Sequence, residues 1–454
     1  MKKYAVWFAI VFFIALLGLG VVSNTFKPVD SLMRPPKVEG ENLSIQLAFE
    51  EKIGTDYVLK RPLRGNYRNA YTFIDLTGDK SNEVIVFYSK SDSLGIVRMN
   101  VLRNIDGEWK SIADFQSVHN DILEVEFSDL NGDGNKEIIV GWSVFQDSYS
   151  KLMSVYEVTE DKESVRIYPV FGDNYSMFKI TDIDGNGIDD IFTIKYATAA
   201  GSAEYTASFL SYENSSFVEK GSFLLDKSLN SIGAINIDYI DDGTCTRIFI
   251  DGYKVDSGMI TDCFIWNRES KEFSRYLVSG VSVPALTSRT STVFCKDVNG
   301  DGFIEIPTEE YLPNVSSNND LVKYNNLGTS VVVWQWIYDN KCEYVESHII
   351  LSQYGYSFRF KQSWFDNVSV ENDPQRGLIT FWSLNYIDGV AIKDKELFSI
   401  MTLSDFDLET ISELSFYYSL IDQVKDKYYY CRIYDEGSEY GITKKDIKNR
   451  MIMG

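Results

Sequence analysis

The chain has 454 residues, 44% of them hydrophobic, with 66 acidic against 44 basic side chains and a formal net charge of −22. That length accommodates two or three domains at roughly 150 residues each. The acidity excludes nucleic acid as a partner, because phosphate recognition requires a basic surface, and it suits divalent cations instead.

Residues Tyr4 to Val22 carry no charge and follow Lys2 and Lys3. At about 1.5 Å per residue this stretch nearly crosses a hydrocarbon layer of about 30 Å, and the lysines place the N-terminus in the cytoplasm. The expectation is a signal anchor over residues 1–23 and a single-pass cell-membrane protein with its C-terminal part outside the cytoplasm. Cleavage after Ser23, giving a secreted protein, is the alternative. Residues 24–54 form a linker with Pro28, Pro35 and Pro36, then a short helix over Ser44–Ile53 that Gly54 ends.

From residue 55 an acidic loop recurs. The segments DLTGDKSNE, DLNGDGNKE, DIDGNGIDD and DVNGDGFIE start at Asp75, Asp129, Asp182 and Asp297, and a degenerate copy starts at Asp238. Successive first aspartates lie 54, 53, 56 and 59 residues apart. A second landmark keeps phase with them: Trp109, Val165, Phe217, Phe273 and Tyr344 follow the first aspartate by 34, 36, 35, 35 and 47 residues. The last value implies an insertion near Asn314–Thr329. Within the first unit, Tyr71–Leu76 leads into the loop, Val84–Tyr88 is an apolar run, Ile96–Asn104 alternates, and Asp106-Gly107 signals a hairpin before Lys110–Gln116. Four antiparallel strands per fifty-odd residues predict a mainly β chain with a β-propeller of about five four-stranded blades over residues 55–354.

No acidic repeat appears after residue 354. Residues 355–454 are expected as a separate α+β domain. Its predicted strands are Ser357–Lys361, Asn367–Val370, Leu378–Trp382, Leu397–Leu403 and Tyr428–Tyr434. Leu408–Leu420 is read as a helix, and Thr443 and Asp446 as the capping pair of another.

The loops place oxygen-bearing side chains at the first, third, fifth and ninth positions and glycine at the fourth. Hard cations take six to eight oxygens at about 2.3–2.6 Å, and alternate residues of a tight loop can supply them. The expected Ca²⁺ ligands are Asp129, Asn131, Asp133 and Glu137 in the second loop, with the Asn135 carbonyl available. In the third they are Asp182, Asp184, Asn186 and Asp190, and in the fifth Asp297, Asn299, Asp301 and Glu305. The first loop offers Asp75, Thr77, Asp79 and Glu83, a weaker set, because Thr77 replaces an acid or amide and Lys80 stands where glycine is usual. The fourth copy has Ile240 and Thr246 at its third and ninth positions and is expected to bind no metal. The loop saturates its ion, so the metal is a staple and not a catalyst.

These loops resemble the calcium loops of FG-GAP/VCBS repeat proteins, the integrin-α-like propellers, over about residues 70–354. They lack the twelfth-position glutamate and the flanking helices of an EF-hand. The N-terminal layout is similar to that of propeller-bearing surface lipoproteins of Gram-positive bacteria, but the lipid-accepting cysteine is missing. The resemblance implies a bacterial cell-surface protein.

No catalytic motif stands out. His119 and His348 lack a nucleophile context, and no Walker loop, dinucleotide fingerprint or HExxH is present. The five cysteines form no CxxC pair, and their odd number leaves at least one thiol unpaired within the chain. The tryptophans at 334, 336, 364 and 382 are read as packing, with sugar stacking as the alternative. The expected function is a membrane-anchored calcium-binding propeller, not an enzyme, that acts as a binding, adhesion or envelope interaction module for a protein or glycan. A carbohydrate-acting hydrolase using propeller carboxylates and an envelope assembly factor are the alternatives.

Overall fold

A computed structural model describes residues 40–143, 151–160, 165–199, 202–240, 243–313, 329–338, 341–404, 417–435, 437 and 440–454. These residues are mainly β. By contact the chain divides into two compact units. One runs to Arg61 and includes Arg68–Asp75 and Asp79–Val118; the other comprises Pro62–Tyr67, Leu76–Gly78 and everything from His119.

Among its described residues the first unit holds one helix and one sheet. The helix, Glu41–Ile53, ends at Gly54, whose N–H reaches back to the Glu50 carbonyl. Its buried Ile45, Ala48 and Phe49 pack on Val84, Val86, Tyr88 and Leu102. The Phe49 ring meets Tyr57 and Tyr88 edge to face at 5.0 and 5.1 Å, an arrangement that the ring quadrupole favours. In the sheet, Tyr57–Lys60 and Tyr71–Ile74 both pair with Glu83–Lys90, followed by Arg98–Ile105 and Glu108–Gln116. Val84 to Tyr88 are buried throughout, as an apolar run sandwiched on both faces must be. Asp106 and Gly107 both adopt positive φ, 54° and 89°, which is what a two-residue hairpin turn of the primed type demands.

Among the described residues, five larger sheets and a two-stranded one, Leu277–Val278 with Val281–Ser282, follow in the second unit, and the larger ones are numbered second to sixth in chain order. The second (Asp121–Ser128, Glu137–Ser143, Lys151–Glu160, Val165–Tyr175), third (Met177–Thr181, Asp190–Ala199, Ser202–Glu213, Ser216–Leu224) and fourth (Leu229–Ile240, Cys245–Lys254, Met259–Asn267, Glu272–Arg275) are four-stranded. In each, neighbours in sequence are antiparallel neighbours in space. Burial grades across them. The second strand is the most buried, as in Glu137–Ser143 and Cys245–Lys254, whereas outer strands such as Val165–Tyr175 and Ser216–Leu224 are largely exposed. Phe209, Phe264 and Phe273 fill the space between third and fourth sheets.

The fifth sheet contains Ile306–Tyr311, Ser330–Tyr338, Lys341–Leu351 and Tyr356–Phe360. The sixth contains Val368–Asp373, Leu378–Ile387, Val390–Ser404, Lys427–Ile433 and Ser419–Val424, in that spatial order. Residues 355–454, read from sequence as a separate α+β domain, are thus mainly β and are joined to what precedes them. Met451–Met453 pairs with Tyr356–Phe360, so it extends the fifth sheet. One core also runs through both sheets: Val331, Ile349 and Phe358 cluster with Phe381, Phe398 and Ile447. The Phe381 and Phe398 rings stack at 4.1 Å. The expected helix over Leu408–Leu420 falls largely outside the described residues, and its last two residues begin the strand Ser419–Val424.

The helix Lys444–Arg450 is capped by Thr443, whose hydroxyl accepts the Asp446 N–H at 3.1 Å. Thr443→Ala is expected to cost about 1 kcal/mol, the usual value of an N-cap; a change in urea midpoint checks it, and an unchanged midpoint would remove the cap from the account.

Among the described residues no helix is long and apolar enough to cross a membrane. The segment Tyr4–Val22 lies outside the described residues, and the single-pass localisation expected from it is withdrawn, since nothing described supports an anchor. None of the five cysteines is in a disulfide, and four of them are buried.

Candidate metal centre

The first acidic loop joins Tyr71–Ile74 to Glu83–Lys90, those of the second to fourth sheets are the turn between the first and second strands, and the fifth leads into its sheet's first strand. In the second, third and fifth loops the backbone wraps its own side chains in one repeated pattern. The first aspartate accepts from the N–H groups at the fourth and sixth positions. Asp129 takes Gly132 and Gly134 at 2.7 and 2.9 Å, Asp182 takes Gly185 and Gly187 at 2.6 and 3.0 Å, and Asp297 takes Gly300 and Gly302 at 2.6 and 2.8 Å. The third residue accepts from the fifth N–H: Asn131 at 2.9 Å, Asp184 at 3.1 Å and Asn299 at 3.0 Å. The fifth accepts from the seventh: Asp133 at 2.8 Å, Asn186 at 2.7 Å and Asp301 at 2.9 Å. The ninth carboxylate closes the ring by accepting from the second N–H, with Glu137 to Leu130 at 2.8 Å, Asp190 to Ile183 at 2.9 Å and Glu305 to Val298 at 2.8 Å.

That network ties the side chains at the first, third, fifth and ninth positions to the backbone of their own loop, and in the third loop it brings three carboxylates together. Ligand oxygens of Asp182, Asp184 and Asp190 all lie within 4.8 Å of one another, a group that could hold a metal ion. The ninth carboxylates are buried: Glu137, Asp190 and Glu305 expose 2%, 1% and 0%. The Oε1 of Glu305 is buried without a hydrogen-bond partner, a costly state for a charged oxygen unless a cation meets it. In the second loop the Asn131 amide donates to both Asp133 and Glu137, at 3.4 and 3.3 Å, and in the fifth Asn299 donates to Asp301 at 2.8 Å. A weak neutral donor thus sits among acids that call for a positive charge.

The electrostatics agree. Burial pushes Glu137 up to about 8, and the charges of Asp133, Asp129 and Glu157 add to the rise against the pull of the Leu130 N–H. Burial likewise pushes Asp190 up to about 6 and raises Glu305, with Asp301 and Asp297 adding to the latter. Buried acids crowded in this way favour a cation, and the triad Asp182, Asp184 and Asp190 could hold a metal ion.

The first and fourth loops differ. In the first, Asp75 accepts the Lys80 N–H at 3.0 Å and Asp79 accepts the Ser81 N–H at 2.7 Å. Lys80 stands at φ +70°, strained for a residue with a side chain, where the other loops have glycine. Arg103 pairs with Asp79 at 3.0 Å and lies 3.6 Å from Glu83, while Thr77 offers only a hydroxyl. In the fourth, Ile240 and Thr246 remove two ligands. Asp238 instead accepts both Nε and Nη2 of the fully buried Arg247, at 2.8 Å for Nε, together with the Ile304 N–H at 2.7 Å.

Consecutive loops of the second unit are stitched together. Ser128, just before the second loop, bonds Asp189 of the third. The Thr246 hydroxyl of the fourth donates to the Ile183 carbonyl of the third at 2.7 Å. Tyr239 reaches the Asp182 carbonyl at 3.3 Å, and Arg268 stacks on Tyr239 and donates to Thr246. The Arg268 guanidinium lies against Gly185, where a Cβ would fall 2.2 Å from Nη1. Glycine at this fourth position therefore serves both the positive φ of 78° and a close approach.

The histidines stay apart from this chemistry. His119 is buried beside Trp142, and His348 pairs with Glu346. Trp334 and Trp364 are buried, Trp336 stacks on Tyr338 at 4.9 Å, and Lys393 lies over Trp382. The sequence reading missed Arg103, Arg247 and Glu157. The pairing register, which sets them beside the loops, was the missing information.

No family model and no curated protein matches the chain. Among solved structures it is similar to a Bacillus licheniformis rhamnogalacturonan lyase at 12% identity, covering 75% of this chain and 77% of that one, with a TM-score of 0.29. It is also similar to a Pseudomonas aeruginosa periplasmic gluconolactonase (13%, 75% and 88%, TM-score 0.28). A third is an endo-arabinase of Bacteroides thetaiotaomicron (11%, 65% and 98%, TM-score 0.26). Likenesses this weak carry no argument about this chain's activity. All three are named as enzymes, and the expectation that the chain is not an enzyme is withdrawn with no activity assigned in its place. A missing local motif does not exclude a site assembled from distant segments, because such a site has no fixed spacing in sequence.

Proposed function

We propose that the chain is a calcium-binding β-propeller of the FG-GAP/VCBS type, in which ions at the second, third and fifth loops rigidify a platform for a protein or glycan ligand. The observation that carries the metal reading is the shared hydrogen-bond ring of three loops, closed each time by a buried carboxylate. The propeller reading is supported by the fifty-odd-residue period and by the recurrence of the loop at the same corner of successive four-stranded sheets. Calcium suits the loops better than magnesium, because it accepts six to eight oxygens in flexible geometry, whereas magnesium keeps much of its water. Asp129, Asn131, Asp133 and Glu137 would hold one ion, Asp182, Asp184, Asn186 and Asp190 a second, and Asp297, Asn299, Asp301 and Glu305 a third. The ion supplies charge compensation and loop order.

The test is a count of bound metal on the full chain by native mass spectrometry after dialysis against calcium or magnesium. Three calcium ions per chain, retained in excess magnesium, are expected. A chain that retains none would end this reading.

A further inference from the structure

We propose that Arg103 is an internal cation that closes the first loop to metal. The inference rests on the calcium reading of the second, third and fifth loops.

The pairing register supplies the argument. Val84 pairs with Leu102, Ile138 with Tyr156, and Ile191 with Leu210. One step further along each ladder sets Arg103 opposite Glu83, Glu157 opposite Glu137, and Ser211 opposite Asp190. Contacts agree with that placement. Arg103 lies 3.6 Å from Glu83, the charge of Glu157 acts on Glu137, and Ser211 donates to Asp190 at 2.6 Å. Three sheets thus put a cation, an anion and a neutral donor at one equivalent position.

The consequences differ in sign. Glu157, held by the Tyr168 hydroxyl at 2.8 Å and by Tyr212 at 3.3 Å, adds negative charge beside an already acidic loop. Ser211 leaves the charge of its loop unchanged. Arg103 bridges two of the acids that a metal would need, Asp79 and Glu83, and its side chain is only 15% exposed. A divalent ion entering there would have to displace a guanidinium already paired with its ligands. The fourth sheet reaches the same end from a neighbouring position, where buried Arg247 takes both oxygens of Asp238. In both loops whose acids an arginine grips, the ligand pattern is also degraded: Thr77 and Lys80 in one, Ile240 and Thr246 in the other. Arg268 and Lys220 also bring positive charge to Asp184 of the third loop, but the contacts of the Arg268 guanidinium are with Thr246 and Tyr239 rather than with two ligand carboxylates. Of the first loop's departures from the pattern, Arg103 is the one that directly occupies its ligand acids.

Calcium per chain is counted by native mass spectrometry for wild type, Arg103→Ser and Asp79→Ala. Serine is the residue that the third sheet carries at this place. The expected result is one more ion in R103S than in wild type, and an unchanged count in D79A. A wild type holding an ion that D79A loses would overturn the proposal, and so would an R103S count equal to wild type. If R103S fails to fold, D79A, which keeps Arg103, decides alone. Three ions in wild type with no gain in R103S would sink this inference and leave the calcium reading intact. A wild type with no ion at all would sink both.

Discussion

Replacing Arg247 with alanine is expected to destabilise the protein by about 3–5 kcal/mol, the range for removing one partner of a buried ion pair. Arg247 is fully buried and Asp238 nearly so. The guanidinium meets Asp238 through two nitrogens, donates to the Ile337 carbonyl through a third, and lies 5.1 Å from the Phe249 ring centre. Its removal strands a carboxylate in an apolar interior and leaves a cavity. It also disturbs the oxygen that receives the Ile304 N–H, one residue before the ninth ligand of the fifth loop. Calcium will not rescue the variant, because the fourth loop has no ligand set. Replacing both partners with apolar residues of similar size should recover most of the loss, since such pairs often break even against hydrophobic isosteres. Urea denaturation of the single and double variants measures this. A single variant within about 1 kcal/mol of wild type would show that the pair is not a staple.

In chelator, stability is expected to fall as pH rises from about 5 to about 8, and calcium should abolish the fall. Burial holds Glu137 up near 8 and Asp190 near 6, against ordinary carboxylate values near 4 in the unfolded chain. Between those limits the native state binds more protons than the unfolded one, so unfolding becomes easier as pH rises. Each unit of difference is worth about 1.4 kcal/mol, which makes the loss across the window of the order of 5 kcal/mol. A cation among the acids removes the reason for holding protons, and the stabilisation by calcium should therefore grow with pH. Melting curves from pH 5 to pH 8 in chelator and in calcium read the effect directly. A flat profile in chelator, superimposed on the calcium curves, would contradict it.

What the sequence disclosed was what local chemistry controls. The loops could be read because glycine, aspartate and asparagine at fixed offsets dictate a backbone path whatever surrounds them. The Asp106-Gly107 turn and the Thr443 cap follow from a few adjacent residues. What stayed hidden depended on pairing between distant segments. The strands near residues 357, 368, 378, 397 and 428 were visible as apolar runs, but nothing in Met451–Met453 says that its neighbour is Tyr356–Phe360. A short helix beside scattered strands therefore suggested an independent α+β unit. Arg103 was obscured for the same reason. It lies twenty residues after Glu83, as Glu157 lies twenty after Glu137. That shared offset was available to be counted, but its meaning came only with the register that makes those positions face each other.

The pairing of Met451–Met453 with Tyr356–Phe360 also orders events during synthesis. The two segments are separated by about ninety residues that include the whole sixth sheet. On the ribosome, the edge of the fifth sheet stays open while those residues emerge, and an open edge is a template for wrong partners. Met451–Met453 shuts that edge, so the fifth sheet can be completed only after the residues of the sixth have been made.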